Sequence, residues 1–328
     1  MRVEILIHMI RPMVILIFHI SLPAFGFLMS MLLLVAIFRG TSKTIKNYSV
    51  LLFWCAFNDL VAIVSEFMGM ERLAILPPSL VLIATGPCTL ISADFCNYCD
   101  SFFCGTIIQS VIIQCISFWY RLRILSKPPP GAIILNLIVL VFAIPNIVHM
   151  IFFKYMKTVY DEPTLLKVVQ TLYPQTNWTG TFLYGLSDLF DPPQSVALFY
   201  YYAIIPILVA FLIFFRSRAV NLLTIHSLLP MIICIACASH ILLILGVYNP
   251  EIEAFTFLIA MIPPILNPGI TIWFIKPYKA YVTRILFGNH FKRIFTVGST
   301  SNASGSRVSV IEKNGKTVTQ QKQIDVYI

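Results

Sequence analysis

An aspartate stands about half-way along a stretch otherwise fit to cross a membrane: Asp59, within Phe57-Asn58-Asp59-Leu60. A carboxylate in hydrocarbon is costly, so it must turn inward and find partners or water. It can hold a cation, or stay protonated and make one helix contact; either use fits a switch. His149 and His240 are further groups that could move protons beside Asp59. The three lie on different stretches at different depths and match no recognised acid–base motif, so catalysis is not expected. Glu66 and Asp100 stand nearer one surface and are better placed to meet a ligand from outside, although snorkelling to water explains both. Gln109, Gln114, Asn136 and His240 read as helix-to-helix glue, each such hydrogen bond being worth about 0.6 kcal/mol.

Five of the eight cysteines (Cys55, Cys104, Cys115, Cys234, Cys237) fall inside apolar stretches, where a free thiol packs as a small hydrophobe. Cys88, Cys96 and Cys99 cluster where a loop enters the third stretch. A local bridge, with Cys88 to Cys96 the favoured pairing, would pin that loop to the helix, but sequence alone does not fix connectivity.

The elements that must hold these groups follow from composition. Of 328 residues, 58% are hydrophobic and 11% charged, against about a quarter charged in soluble domains. Seven stretches, near 14–38, 48–69, 98–119, 132–153, 196–215, 228–248 and 255–275, approach the ~20 apolar residues that a spanning helix needs. They are continuous rather than alternating, which excludes spanning strands. The expected fold is therefore an all-α membrane protein, a seven-transmembrane helix bundle. Its parts are an N-terminal segment 1–13, the bundle 14–275, a juxtamembrane segment 276–295 and a tail 296–328. The first stretch is too long for the core of a cleaved signal peptide and reads as a signal anchor.

Lys and Arg set the orientation. Arg39, Lys43 and Lys46, then Arg121, Arg123 and Lys127, then Arg216 and Arg218, then the tail, all fall on one side of the spans. Most acidic residues lie on the other. The positive-inside rule puts the N-terminus outside and the C-terminus inside. It also accounts for the net charge of +9 without a nucleic-acid partner. Asn177-Trp178-Thr179, a glycosylation sequon, then lies in an outer loop, 154–195, which could be a partial lid or a passive solvated loop. Pro145, Pro206, Pro230, Pro263, Pro264 and Pro268 would kink their helices and provide hinges. Lys276 to Phe287 alternates basic and apolar residues at helical spacing, as in a short amphipathic helix on the inner leaflet, held by membrane lipid. The tail is Ser- and Thr-rich and is expected to be disordered.

Asp59, an Arg closing span three (Arg121, after Trp119-Tyr120), and Asn267-Pro268 in span seven resemble the rhodopsin-like receptor plan. The resemblance implies that Asp59 joins a buried sodium and water network, that Arg121 latches the inner bundle and that the Asn267-Pro268 kink moves on activation. Two features depart from the plan: Arg121 has no acidic neighbour, and Thr271 stands where the span-seven tyrosine would be. Also, the 154–195 loop has no cysteine to tie it to span three, as many such receptors do. Leu76-Pro77-Pro78-Ser79, Gly86-Pro87-Cys88, Phe95-Cys96, Ser117-Phe118-Trp119-Tyr120-Arg121, Pro263-Pro264 and Lys276-Pro277-Tyr278 more closely resemble the nematode serpentine chemoreceptors of the Str superfamily, class D (Srd) above all. That likeness runs from about residue 20 to 288.

It implies a G-protein-coupled chemosensory receptor in the plasma membrane of ciliated sensory neurons, binding an odorant or pheromone from outside. The pocket would lie among the outer halves of spans three, five, six and seven, with Tyr98, Asp100, Ser101, Tyr200, Tyr201 and Tyr248 as candidate lining. Switch residues would be Asp59, Tyr120, Arg121, Asn267 and Pro268, and the inner basic loops would meet a heterotrimeric G protein. Pairing with another receptor stays open. A transporter or channel is the rival reading; it predicts matched repeats in the two halves, and none is visible.

Overall fold

The computed structural model describes residues 2–124, 127–157, 162–174, 181–186, 188–216, 224–246 and 250–287. Seven helices make the bundle: α1 (Arg2–Gly40), α2 (Tyr48–Gly69), α3 (Ala93–Ile124), α4 (Ala132–Lys157), α6 (Pro192–Arg216), α7 (Thr224–Ile244) and α8 (Pro250–Phe274). Among the described residues six are long and apolar enough to cross a membrane, and α7 adds a shorter apolar part, Ile232–Ile244. α1 runs straight through the boundary expected at residue 13. α9 (Lys276–Phe287) follows α8 almost without a break. The tail 296–328 lies outside the described residues.

α3 is the axis. It packs on α2, α4 and α6, while α1, α2, α8 and α7 close the ring around it. Cys, Ser, Gly and Thr along its length let neighbours approach closely, as interfaces within a bilayer require. α4 and the described part of α6 show the complementary pattern. Ile133, Leu137, Ile144, Val148 and Ile207 are exposed, which suits helices whose outer faces meet lipid rather than protein.

One end of the bundle carries an addition that the apolar runs do not announce. β1 (Glu71–Leu76), β2 (Ser79–Ala84) and β3 (Phe182–Leu186) form an antiparallel sheet in that order. β1 and β2 turn at Pro77-Pro78. Gly185 of β3 sits opposite Val81, where a Cβ would meet the Leu80 carbonyl oxygen at 2.0 Å. Leu73, Ile75, Leu80, Leu82, Tyr184 and Leu186 face the bundle core. Ala74, Val81 and Ile83 face the other way and are covered by Leu165 and Val169 of α5 (Glu162–Leu172). The described α5 and β3 of the 154–195 segment therefore form part of a cap, α5 over sheet over bundle. Cys88 and Cys96 are joined by a disulfide at the foot of this cap.

Candidate functional site

Among the described residues, three polar clusters within or against the bundle bear on function. The first is central. Asn267 Nδ2 donates to Asp59 Oδ2 at 2.6 Å, and Ser110 Oγ faces Asp59 Oδ1 at 3.5 Å. Asp59 is fully buried. Asn58, its neighbour, donates to the Thr106 carbonyl at 2.9 Å, so α2, α3 and α8 meet at one polar node. Pro268 removes a backbone donor from the next turn of α8.

The second lies at the end opposite the sheet. Arg121 Nη2 donates to the Tyr48 hydroxyl, which also lies 3.0 Å from Ser117 Oγ. The Tyr48 and Tyr120 rings stack at 5.5 Å. Arg121 thus finds its partner on α2, in a tyrosine that the sequence reading did not single out. Tyr278 is buried and bonds Thr41 Oγ1 at 3.1 Å. It does so from α9, whereas Thr271, in span seven, is buried in the bundle. Arg39, Lys43, Lys46 and Lys127 are exposed around this basic end, and Arg123 lies over the Trp119 ring at 5.4 Å. Arg216 ends α6, though its side chain is not among those described, and Arg218 lies outside the described residues.

The third cluster sits under the sheet. Lys157 Nζ donates to Asp100 Oδ2, and both side chains are almost wholly buried. The Tyr184 hydroxyl donates to Glu71 Oε1. Burial pushes the Glu71 carboxyl well above the usual carboxylate range; the Asp100 carboxylate adds to that shift, while Tyr184 and Lys157 work against it. The Tyr184 hydroxyl is pushed up too, first by burial and then by the two acids. On the other side of the same strand, Arg72 Nη2 reaches Glu253 Oε2 of α8 at 3.4 Å, and Tyr173 donates to that same oxygen. Glu71 and Arg72, adjacent in β1, so bolt the cap to α3 and α4 on one side and to α8 on the other.

Between the cap and the bundle lies a cavity of about 40 Å3. Leu73, Leu80 and Leu82 roof it, Phe103, Phe257 and Ala260 wall it, and Asp100, Cys104, Tyr202 and His240 supply its polar edge. The described residues of the expected lining are placed as follows. Asp100 is there, committed to Lys157. Ser101 turns back to the Asn97 carbonyl at 2.9 Å. Tyr98 is exposed beside Lys154, and Tyr200 stacks on His149 at 4.2 Å. Phe103 of α3 and Tyr202 of α6 line the cavity from the same two helices. Tyr248 and Asn177 lie outside the described residues, as does the side chain of Tyr201. The glue residues pair variously: Trp54 donates to Asn136 at 2.7 Å, and Asn146 reaches Gln109 at 3.4 Å. Glu66, expected near a ligand, instead lies 2.9 Å from His19 of α1.

The seven helices thus carry a polar node at their centre, an arginine held at one end and a capped cavity at the other. A family model described as the serpentine type 7TM GPCR chemoreceptor Srd matches residues 15–224 and 218–284, and the chain belongs to that family. It is 27% identical over 301 residues to serpentine receptor class delta-1 of Caenorhabditis elegans, covering 82% of this chain and 80% of the relative. Serpentine receptor class delta-18 of the same organism is 26% identical over 332 residues, 92% and 95% of the two chains. The family is one of receptors rather than enzymes.

Proposed function

We propose that this chain is a chemosensory receptor that binds a small molecule in the cavity beneath the sheet and activates a heterotrimeric G protein at its basic end. The observation that carries this reading is the cavity itself. It is mainly apolar with a few polar groups at one edge, it is walled by helices that also reach the opposite end, and it holds no more than a few water molecules. An odorant-sized ligand must push those walls apart, and a ligand shifts an equilibrium only by binding one state better. α8 carries the shift inward, from Glu253 at the cap, past Pro263 and Pro264, to Asn267 at the central node.

In this reading the sheet end faces outside the plasma membrane of a sensory neuron, its cilia included. The basic loops around Arg121 face the G protein, alone or in a receptor pair. A sodium ion at the node would be held by Asp59 and Ser110, competing with the Asn267 amide for the carboxylate. Sodium would supply a positive charge that stabilises one arrangement of α2, α3 and α8.

The test is a screen of small volatile and secreted molecules on cells expressing the chain with a G-protein reporter. A response should vanish in Arg121→Ala and in the cavity-filling Ala260→Phe while surface expression holds. A response indifferent to both variants sinks the reading.

A further inference from the structure

The residues of α8 divide by helical period. Asn267 and Thr271 face the bundle, 4% and 3% exposed. Leu266, Gly269, Ile270 and Trp273 share the opposite face at the spacing of one helical stripe. With Phe25 of α1, that face walls an open groove of about 280 Å3. Gly269 helps keep it open: a Cβ there would stand 3.3 Å from the Met29 methyl and meet nothing else. From Ile265 to Trp273 the helix rises about 12 Å, close to the roughly 15 Å of hydrocarbon in one leaflet. The walls are apolar throughout.

At the basic end the groove closes on Trp273, which is 65% exposed. Lys279 Nζ sits 3.7 Å above the centre of that indole. Lys276, three residues after Trp273 at the start of α9, is exposed, and α9 carries no acidic residue. Arg39 ends α1 close by, where Gly40 packs on Tyr281 of α9. An acyl chain fits the groove in length and polarity, and a headgroup at its mouth meets lysines with no carboxylate on α9 to oppose it.

We infer that this groove is a site for one anionic phospholipid of the leaflet at the basic end, its chain along α8 and its headgroup at Lys279 and Lys276. A zwitterionic lipid fills the same groove but brings its own ammonium toward the lysines, so net negative charge is preferred. The groove wall is the back of the turn that carries Asn267, so an occupied groove braces the Asn267–Asp59 contact from outside the bundle.

The test uses the purified full chain in phosphatidylcholine vesicles in which either phosphatidylserine or phosphatidylcholine carries brominated chains, which quench nearby indoles. The chain has four tryptophans, and Trp273→Phe isolates the Trp273 share of the emission. Brominated phosphatidylserine should quench Trp273 at a several-fold lower mole fraction than brominated phosphatidylcholine. Lys279→Gln, on the surface, should bring the two curves together, and Gly269→Leu should weaken quenching by both lipids. Identical curves in the unaltered chain would mean bulk lipid contact only and overturn the site. A preference surviving loss of both Lys279 and Lys276 overturns the headgroup assignment.

Discussion

Asn267 donates to Asp59 at 2.6 Å across 208 residues of sequence. This bond ties the proline-containing span seven to span two at the centre of the bundle. It is a charge-assisted contact when Asp59 is ionised and an ordinary one when it is not, so it can change strength without a change of geometry. Asp59→Asn keeps the shape and removes the charge. We expect the variant to reach the surface and to lose any dependence of signalling on sodium, or to shift its signalling bias. Dose–response curves in sodium and in a larger cation check this; curves unchanged in both respects leave Asp59 a structural residue.

Tyr48 takes the place at Arg121 that an acidic neighbour would fill. Its hydroxyl accepts from Arg121 while its ring stacks on Tyr120. Tyr48→Phe deletes the acceptor and keeps the stacking. Ligand-independent nucleotide exchange by a purified G protein should rise several-fold in membranes carrying this variant. Exchange equal to that of the unaltered receptor, with Arg121→Ala still silent, would show that Tyr48 does not restrain Arg121.

Lys157 and Asp100 form a buried ion pair. Removing one partner strands the other charge, at a cost of about 3–5 kcal/mol, whereas replacing both is often close to neutral. Lys157→Met should therefore abolish surface expression, and Lys157→Met with Asp100→Asn should restore most of it. Flow cytometry on tagged receptor reads this directly, and a double variant as poor as the single one removes the pair from the account of stability.

What the sequence made legible follows from which solvent each residue meets. Lipid demands long apolar helices and penalises every charge, so the spans, Asp59 and the Asn267-Pro268 pair stood out. The cap did not. Both faces of Glu71–Leu76 and Ser79–Ala84 are covered, so these strands lack the alternation that marks a half-exposed sheet. Lys157 gave no signal of its own because its partner depends on how α4 sits against α3. Tyr48, at the first turn of α2, carried no signal of its own; only the fold brings it to Arg121.

Glu71 should make the cap pH-dependent. Its carboxyl is pushed above its ordinary range by burial, and further by Asp100, so the closed cap favours the protonated acid. Its contribution is complete below the ordinary carboxylate range and is lost as pH rises through the raised value. Hydrogen exchange of β1 and β2 should be slower at mildly acidic than at alkaline pH, after correction for the intrinsic rate. Glu71→Gln, neutral throughout, should flatten that dependence. A slope that survives the substitution assigns it to another group.

Orientation underlies the functional reading, and one sequon tests it. If the sheet end is outside, Asn177 lies in the lumen during synthesis and should carry a glycan, because the transferase acts only there. A glycosidase-sensitive mobility shift that disappears in Asn177→Gln is the expected result. A tag at the N-terminus should bind antibody on intact cells, and one at the C-terminus only after permeabilisation. Seven spans require the two ends to lie on opposite sides, so accessibility of both tags on intact cells would mean an even number of crossings. A receptor with Arg121 facing a G protein could not then be drawn through these helices, because the basic loops and the capped cavity would no longer lie across the membrane from one another in the order that the chain imposes.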